Sequence, residues 1–234
     1  MLLACAVFIG ARVLQRRAAD DALPAREVTR FVNWILIGGF LGAHLFDRFV
    51  YFPAQTLADP FSILRLWDGL SSFGGFIGGT LGALLFFWRW AASDTAWKYV
   101  DAFAYAFPFG WVFGRLGCFV AFDHPGRPTR FLLGQMYRDG VVRHNLGLDE
   151  AIYTAGIVVL FHFLGRKPRF PGFYLGLFLL LYAPFRFGVD YLRIIDVRYW
   201  GLTPGQYGCI ALLVLAAAIL AHRRSAGSIV HRRV

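Results

Sequence analysis

Long apolar runs punctuated by short polar stretches set the organisation of this chain. A membrane-spanning helix needs about 20 predominantly apolar residues. Six runs reach or approach that length: Phe31–Phe52, Ser72–Ala92, Val100–Phe122, Glu150–Gly165, Gly172–Leu192 and Pro204–His222. The fourth is short and can borrow a turn from its flanks. A seventh run, Met1–Leu14, would rise about 21 Å at 1.5 Å per residue, short of a hydrocarbon core about 30 Å thick. It lacks the basic start and small-residue cleavage site of a secretory signal, so the expectation is a first helix whose outer turns are missing. The pattern predicts an all-α, polytopic membrane helix bundle of about seven transmembrane helices. Residues 1–234 form one integral-membrane domain in this reading, and residues 123–149 form an extracytoplasmic loop over the candidate site. No internal repeat is visible, so an inverted-repeat transporter has no positive support.

Composition removes the competing classes. Of the 234 residues, 58% are hydrophobic and 16% charged, against about 45–50% and 25% in a soluble domain. Mean hydropathy is +0.54. Too few charges are present to cover a soluble surface. Disorder, a nucleic-acid-binding tail and a disulfide scaffold are excluded together. The 26 glycines suit close helix contacts in a membrane. Cys5, Cys118 and Cys209 lie in apolar segments without disulfide or zinc spacing.

Charge sets the orientation. The net charge is +10, and of 24 basic residues only Lys98 and Lys167 are lysine. With seven crossings and the N-terminus outside, the inner segments hold thirteen arginines and lysines against seven in the outer ones. That bias predicts N-out, C-in under the positive-inside rule. The loop 123–149 nevertheless places Arg127, Arg130, Arg138 and Arg143 outside, which points to another use for its charge.

An ionisable group inside a span costs about 2.5–3.5 kcal/mol on insertion scales and marks a functional candidate. His44, Asp47 and Arg48 occupy the second helix, Arg115 the fourth, His162 the fifth, and Arg186 with Asp190 the sixth. Asp47 and Arg48 also fit an interfacial pair, and His162 an interfacial side chain beside Arg166. Asp190 stands at i+4 from Arg186 and can neutralise it. Arg115 sits among Gly110, Gly114 and Gly117, a spacing that admits another backbone or a ligand. It can grip a phosphate or pair with Asp101 or Asp190. Tyr182 and Arg186 share a helix face, with Pro184 between them expected to kink the helix. Ser72-Phe73-Gly74-Gly75 opens a helix suited to tight packing or ligand contact. Two intramembrane arginines on different helices, with tyrosine and carboxylates, suit an anionic lipid headgroup, because guanidinium forks bind phosphate in two parallel hydrogen bonds.

These constellations resemble the prolipoprotein diacylglyceryl transferase family along nearly the whole chain. Leu66-Trp67-Asp68-Gly69 with Phe73-Gly74-Gly75 is similar to W-D-G-G-x-S-F-H-G-G. Pro108-Phe109-Gly110 through Gly114-Arg115-Leu116-Gly117 resembles P-x-G-x-x-x-G-R-x-G-N. Arg143-His144 and Glu150 stand where R-H-P-S-Q-L-Y-E is expected. Tyr182-x-x-Phe185-Arg186 with Asp190 and Arg193 resembles Y-x-x-F-R-x-x-x-E-x-x-R, and Thr203-Pro204-Gly205-Gln206 resembles S-M-G-Q.

The resemblance implies a seven-helix enzyme of the bacterial inner membrane. Such an enzyme moves a diacylglyceryl group from phosphatidylglycerol to the lipobox cysteine of a prolipoprotein, forming a thioether and releasing glycerol phosphate. It implies no cofactor and no metal. Arg115 and Arg186 are then the phosphate clamp. Tyr182, Gly74, Gly75, Gly114, Gly117, Asp190, Arg193 and Glu150 bind substrate. The motif's histidine is replaced by Phe73 and its asparagine by Cys118. Asn145-Leu146-Gly147-Leu148-Asp149 replaces P-S-Q-L-Y, and His44 and Asp47 stand for an arginine and a tyrosine. Base duty therefore passes to His124 or His144 in the outer loop, where a neighbouring carboxylate can tune a histidine near neutrality. The alternative is a paralogue that binds an anionic phospholipid with lost or altered transfer.

Overall fold

The computed structural model describes residues 1–65, 69–90, 93–194 and 198–231, and it is helical throughout apart from one small sheet. Helix α1 spans Leu2–Asp20, α2 Ala25–Phe46, α3 Pro53–Ala58, α4 Ser72–Trp90 and α5 Ser93–Ala121. After the sheet come α6 at Leu146–Leu164, α7 at Phe173–Asp190 and α8 at Pro204–His231. Among the described residues, Ala25–Val50, Thr95–Ala121, Leu146–Leu164, Phe173–Asp190 and Pro204–Arg223 are long and apolar enough to cross a membrane. This is a multi-pass membrane helix bundle. The first helix does not stop at Leu14 but continues to Asp20, because Gln15-Arg16-Arg17-Ala18-Ala19 contains good helix formers. The fifth predicted span gains its missing turn at the N-terminal end, from Leu146.

The chain divides into two compact units, residues 21–99 and residues 1–20 with 100–234. In the first unit, Gly38 and Gly42 of α2 face Gly74, Gly78 and Gly82 of α4 so closely that added Cβ atoms would overlap the opposite backbone. The small-residue stripe serves helix packing there, the arrangement by which membrane helices gain close van der Waals contact. Beyond α2 the chain takes a π-helical turn, Asp47–Tyr51. Within it, Arg48 Nη2 lies 3.5 Å from Asp47 Oδ2, and both side chains are close to fully buried. His44 Nε2 meets the Ile63 carbonyl at 2.8 Å.

The second unit centres on Phe161, Tyr174, Phe178, Tyr182 and Ala183, all buried. Asp101 accepts hydrogen bonds from the Tyr174 and Leu175 amides at 2.7 and 3.1 Å. A carboxylate there satisfies the orphan donors of the first turn of α7 and complements its dipole. Helix α7 runs through Pro184 without interruption. One turn earlier, the Tyr153 hydroxyl donates to the Leu181 carbonyl at 2.8 Å.

The polar loop holds a three-stranded antiparallel sheet of β1 (Pro125–Pro128), β2 (Gln135–Met136) and β3 (Val142–Asn145), in the order β1-β3-β2. The Arg127 amide donates to the Leu192 carbonyl at 2.8 Å, and Gly126 bridges to Arg193. These contacts tie the sheet to the end of α7.

Candidate active site

The C-terminal half of α5 presents Arg115, 8% exposed, with its guanidinium stacked over Trp111 at 4.5 Å. Opposite it, Asn145 caps α6, accepting from the Gly147 and Leu148 amides at 3.1 and 3.3 Å. An asparagine at this position satisfies two orphan donors of the first turn. Its amide also donates to the Phe119 carbonyl at 3.2 Å, which binds the start of α6 to the end of α5. Gly147 sits against α5 so closely that an added Cβ would lie 2.7 Å from the Phe119 amide nitrogen and 3.1 Å from the Arg115 carbonyl.

This approach delivers Glu150, three residues on. Its Oε2 is 2.7 Å from Arg115 Nε, and its Oε1 is 3.6 Å from Arg186 Nε. The Tyr182 hydroxyl donates to Glu150 Oε2 at 3.2 Å. One turn beyond Arg186, Asp190 Oδ1 lies 2.7 Å from Arg186 Nη1 and 4.0 Å from Arg193 Nη1. Residues 182, 186 and 190 stand on one face of α7 through their four-residue spacing. The two arginines do meet, and the carboxylate joining them is Glu150. Of the two partners the sequence offers Arg115, Asp101 caps α7 and Asp190 pairs with Arg186.

The entry to α8 holds Asp190 in place. Thr203 Oγ1 donates to Asp190 Oδ2 and accepts from the Gln206 amide at 3.1 Å, while Gln206 Oε1 accepts from the Thr203 amide at 3.0 Å. The reciprocal pair is a capping box. Gln206 Nε2 also donates to the Phe187 carbonyl at 3.2 Å. The Thr203-Pro204-Gly205-Gln206 motif therefore joins α8 to the arginine-bearing face of α7.

Arg115 and Arg186 share Glu150, and Arg186 and Arg193 share Asp190. Taking one partner out of such a buried network strands a charge. Arg115 Nε and Arg186 Nη1 each lie 2.7 Å from a carboxylate oxygen. An apolar groove of about 320 Å³ is lined by Phe131, Leu133, Ile152, Tyr153, Phe185 and Leu192, with His144 and Asp149 also in its wall. A second groove of about 370 Å³ shares Ile152 and Tyr153 and continues along α6 to Leu160.

The two loop histidines each have a carboxylate. His124 Nδ1 is 2.5 Å from Asp123 Oδ1, and His144 Nδ1 is 3.5 Å from Asp149 Oδ2. Phe122, with φ of 56°, ends α5 in the left-handed region and turns the chain back. As a result Cys118, Asp123 and His124 bring a sulfur, an oxygen and a nitrogen within 4.8 Å of one another. Their spacing carries no metal signature, and no local pattern marks the cluster. The glycines divide. Gly74 packs α4 onto α2, and Gly75 lies 3.7 Å from the Ala43 side chain. Among the described residues, a Cβ added to Gly114 would meet nothing within 4 Å, and one on Gly117 only Leu2 at 3.9 Å. The close approach expected at these positions occurs at Gly110, where a Cβ would lie 2.6 Å from the Ala6 carbonyl oxygen. Leu66, Trp67 and Asp68 lie outside the described residues, as does the side chain of Phe73.

Fold and site together define a multi-pass membrane protein with a buried arginine–carboxylate cluster. The family described as prolipoprotein diacylglyceryl transferase matches residues 1–222. The phosphatidylglycerol–prolipoprotein diacylglyceryl transferase of Polynucleobacter asymbioticus is 36% identical over 197 residues, 80% of this chain and 72% of that protein. The protein of the same name from Tolumonas auensis is 31% identical over 231 residues, 92% and 89% of the two chains. That from Nitratidesulfovibrio vulgaris is 35% identical over 231 residues, 91% and 83%. The chain belongs to the prolipoprotein diacylglyceryl transferase family.

Proposed function

We propose that this protein transfers a diacylglyceryl group from phosphatidylglycerol to the lipobox cysteine of prolipoproteins in the bacterial inner membrane. The observation that carries the reading is the meeting of Arg115 and Arg186 on Glu150. Phosphatidylglycerol brings a phosphate that competes with Glu150 for the guanidinium forks of Arg115 and Arg186. Its acyl chains suit the grooves along α6.

The acceptor thiolate attacks the glyceryl carbon bonded to the phosphate. The carbon–sulfur bond forms as the carbon–oxygen bond breaks, and glycerol phosphate leaves. Cations fixed in a water-poor site stabilise the charge gathering on that leaving group, the role of Arg115 and Arg186. Tyr182 orients the headgroup, with Asp190 and Arg193 holding Arg186 in line. A free thiol, with pKa of about 8.5, must lose its proton to react. The carboxylate-paired imidazoles of His124 and His144 are the groups placed to take it, His124 next to α5 and His144 beside the apolar groove.

The chain acts as one integral-membrane domain, with residues 123–149 over the site. Helices α1 and α4, at 19 residues each, are about 28 Å long and complete seven crossings, N-terminus out and C-terminus in. Purified protein in phosphatidylglycerol vesicles with a lipobox peptide tests the reading. Thioether-linked diacylglycerol on the peptide is the expected product, lost in Arg115→Ala. Co-purified phosphatidylglycerol without turnover would instead make the protein a lipid-binding paralogue.

A further inference from the structure

We propose that residues 129–136 form a membrane anchor, with Phe131, Leu132 and Met136 seated in the leaflet that borders the loop and the loop's arginines on anionic phospholipid headgroups. Phe131, Leu132 and Met136 are 56%, 92% and 65% exposed. Met136 pairs across the sheet with Val142, which is exposed as well. Single apolar side chains are ordinary on a surface, but a group of them rimmed by polar residues marks an interaction site.

The tip has a fixed shape. The Phe131 amide donates to Thr129 Oγ1 at 3.1 Å, and the Phe131 carbonyl accepts from the Gly134 amide at 2.9 Å. The Thr129 amide donates to the Val142 carbonyl at 3.0 Å, which fastens the turn to β3. A Cβ on Gly134 would lie 2.8 Å from Val142 Cγ1, so the turn folds back tightly on the sheet.

Continuity points to lipid as the occupant. Phe131 and Leu133 share one groove with Ile152 and Tyr153 of α6 and Phe185 of α7, and the second groove carries that surface along α6 to Leu160. Both helices are long and apolar enough to cross a membrane. Ile152, Val159 and Phe163 remain exposed on one face of α6, through spacings of seven and four residues. In a bilayer that face meets acyl chains, and the tip continues it.

Charge agrees. The loop's three acidic side chains are engaged: Asp123 with His124, Asp139 with Arg143 and Asp149 with His144. Arg127, Arg130 and Arg138 are exposed and have no carboxylate at ion-pair distance among the described residues. Apolar side chains at the headgroup boundary beside cations that hold anionic lipids are the two elements of interfacial anchoring. The anchor gives a use to arginines that run against the charge bias expected of this loop.

The test is photocrosslinking of the whole protein in vesicles of equal parts phosphatidylcholine and phosphatidylglycerol. Leu132→p-benzoylphenylalanine alters an exposed side chain, and Val159→p-benzoylphenylalanine, on the exposed face of α6, is the reference for lipid contact. Phospholipid adducts at both positions are expected by mass spectrometry of the intact protein. Arg127→Glu with Arg130→Glu, added to the Leu132 variant, should lower the ratio of phosphatidylglycerol to phosphatidylcholine adducts at least about fivefold, the worth of one arginine near an anionic surface. Lipid adducts at 159 without any at 132 overturn the anchor, and an unchanged ratio overturns the headgroup contact. Replacement of the lipid adducts at 132 by peptide adducts when a lipobox peptide is added also overturns the anchor and makes the tip a docking surface for the peptide. Lipid adducts at 132 in a protein that performs no transfer uphold the anchor and count against the transferase reading alone.

Discussion

Each of the two compact units buries arginine beside carboxylate, and the two do so differently. In residues 21–99, Arg48 and Asp47 are sequence neighbours in a π-helical turn, one cation for one anion. In the other unit, Arg115 on α5, Arg186 on α7 and Arg193 just beyond α7 share Glu150 and Asp190. The first arrangement is local. The second depends on tertiary packing. Burial of an arginine therefore does not by itself mark a ligand site; two guanidiniums brought from distant segments onto one carboxylate make the stronger candidate.

Substitution should separate the two behaviours. The largest effect is expected on stability. Arg48→Ala strands a buried carboxylate and should cost about 3–5 kcal/mol, read by thermal or denaturant unfolding, with turnover per folded molecule unchanged. An activity loss without a stability loss would break the comparison. Next, Arg115→Ala and Arg186→Ala should each slow transfer roughly 10²–10³-fold, the range seen when one donor to a developing oxyanion is removed, with helix content retained by circular dichroism. Thr203→Val removes the hydroxyl of the α8 capping box and should cost about 1 kcal/mol, with a several-fold drop in transfer as Asp190 loosens.

The smallest effect lies in the sheet. Arg143 hydrogen-bonds Asp139 at 2.7 Å, and this contact with the Val141 amide holds the Asp139 carboxyl below the usual range. A carboxyl lowered on folding stabilises above its unfolded pKa of about 3.9 and loses that contribution as pH falls through the folded value. The protection factor of the Val141 amide, corrected for intrinsic exchange, should be the same at pH 7 and pH 5 and should fall only below pH of about 4. In Asp139→Asn that pH dependence should vanish.

Much of the fold was legible because membrane helices announce themselves through length and apolarity. The Arg186–Asp190 pair was legible too, since i and i+4 are neighbours on any helix. Glu150 as the common partner was not: it reaches Arg115 through a contact between α5 and α6 that no local spacing encodes. The sheet was hidden by its own composition. Strand β1 reads Pro-Gly-Arg-Pro, residues depleted from strands, and is held by pairing to β3 and by the bonds to Leu192 and Arg193. Cys118, Asp123 and His124 were separated by a helix end whose left-handed Phe122 is not a residue that advertises a turn.

Gly147 gives this architecture its tolerance limit. Only a hydrogen atom fits between the start of α6 and the backbone of α5, so the carboxylate one turn later can neither creep along the neighbouring helix nor roll away from it. Redesign aimed at other polar heads has to leave that spot untouched and work outward from it, because even one methyl group there would detune the reach of Glu150 before any chosen contact was altered.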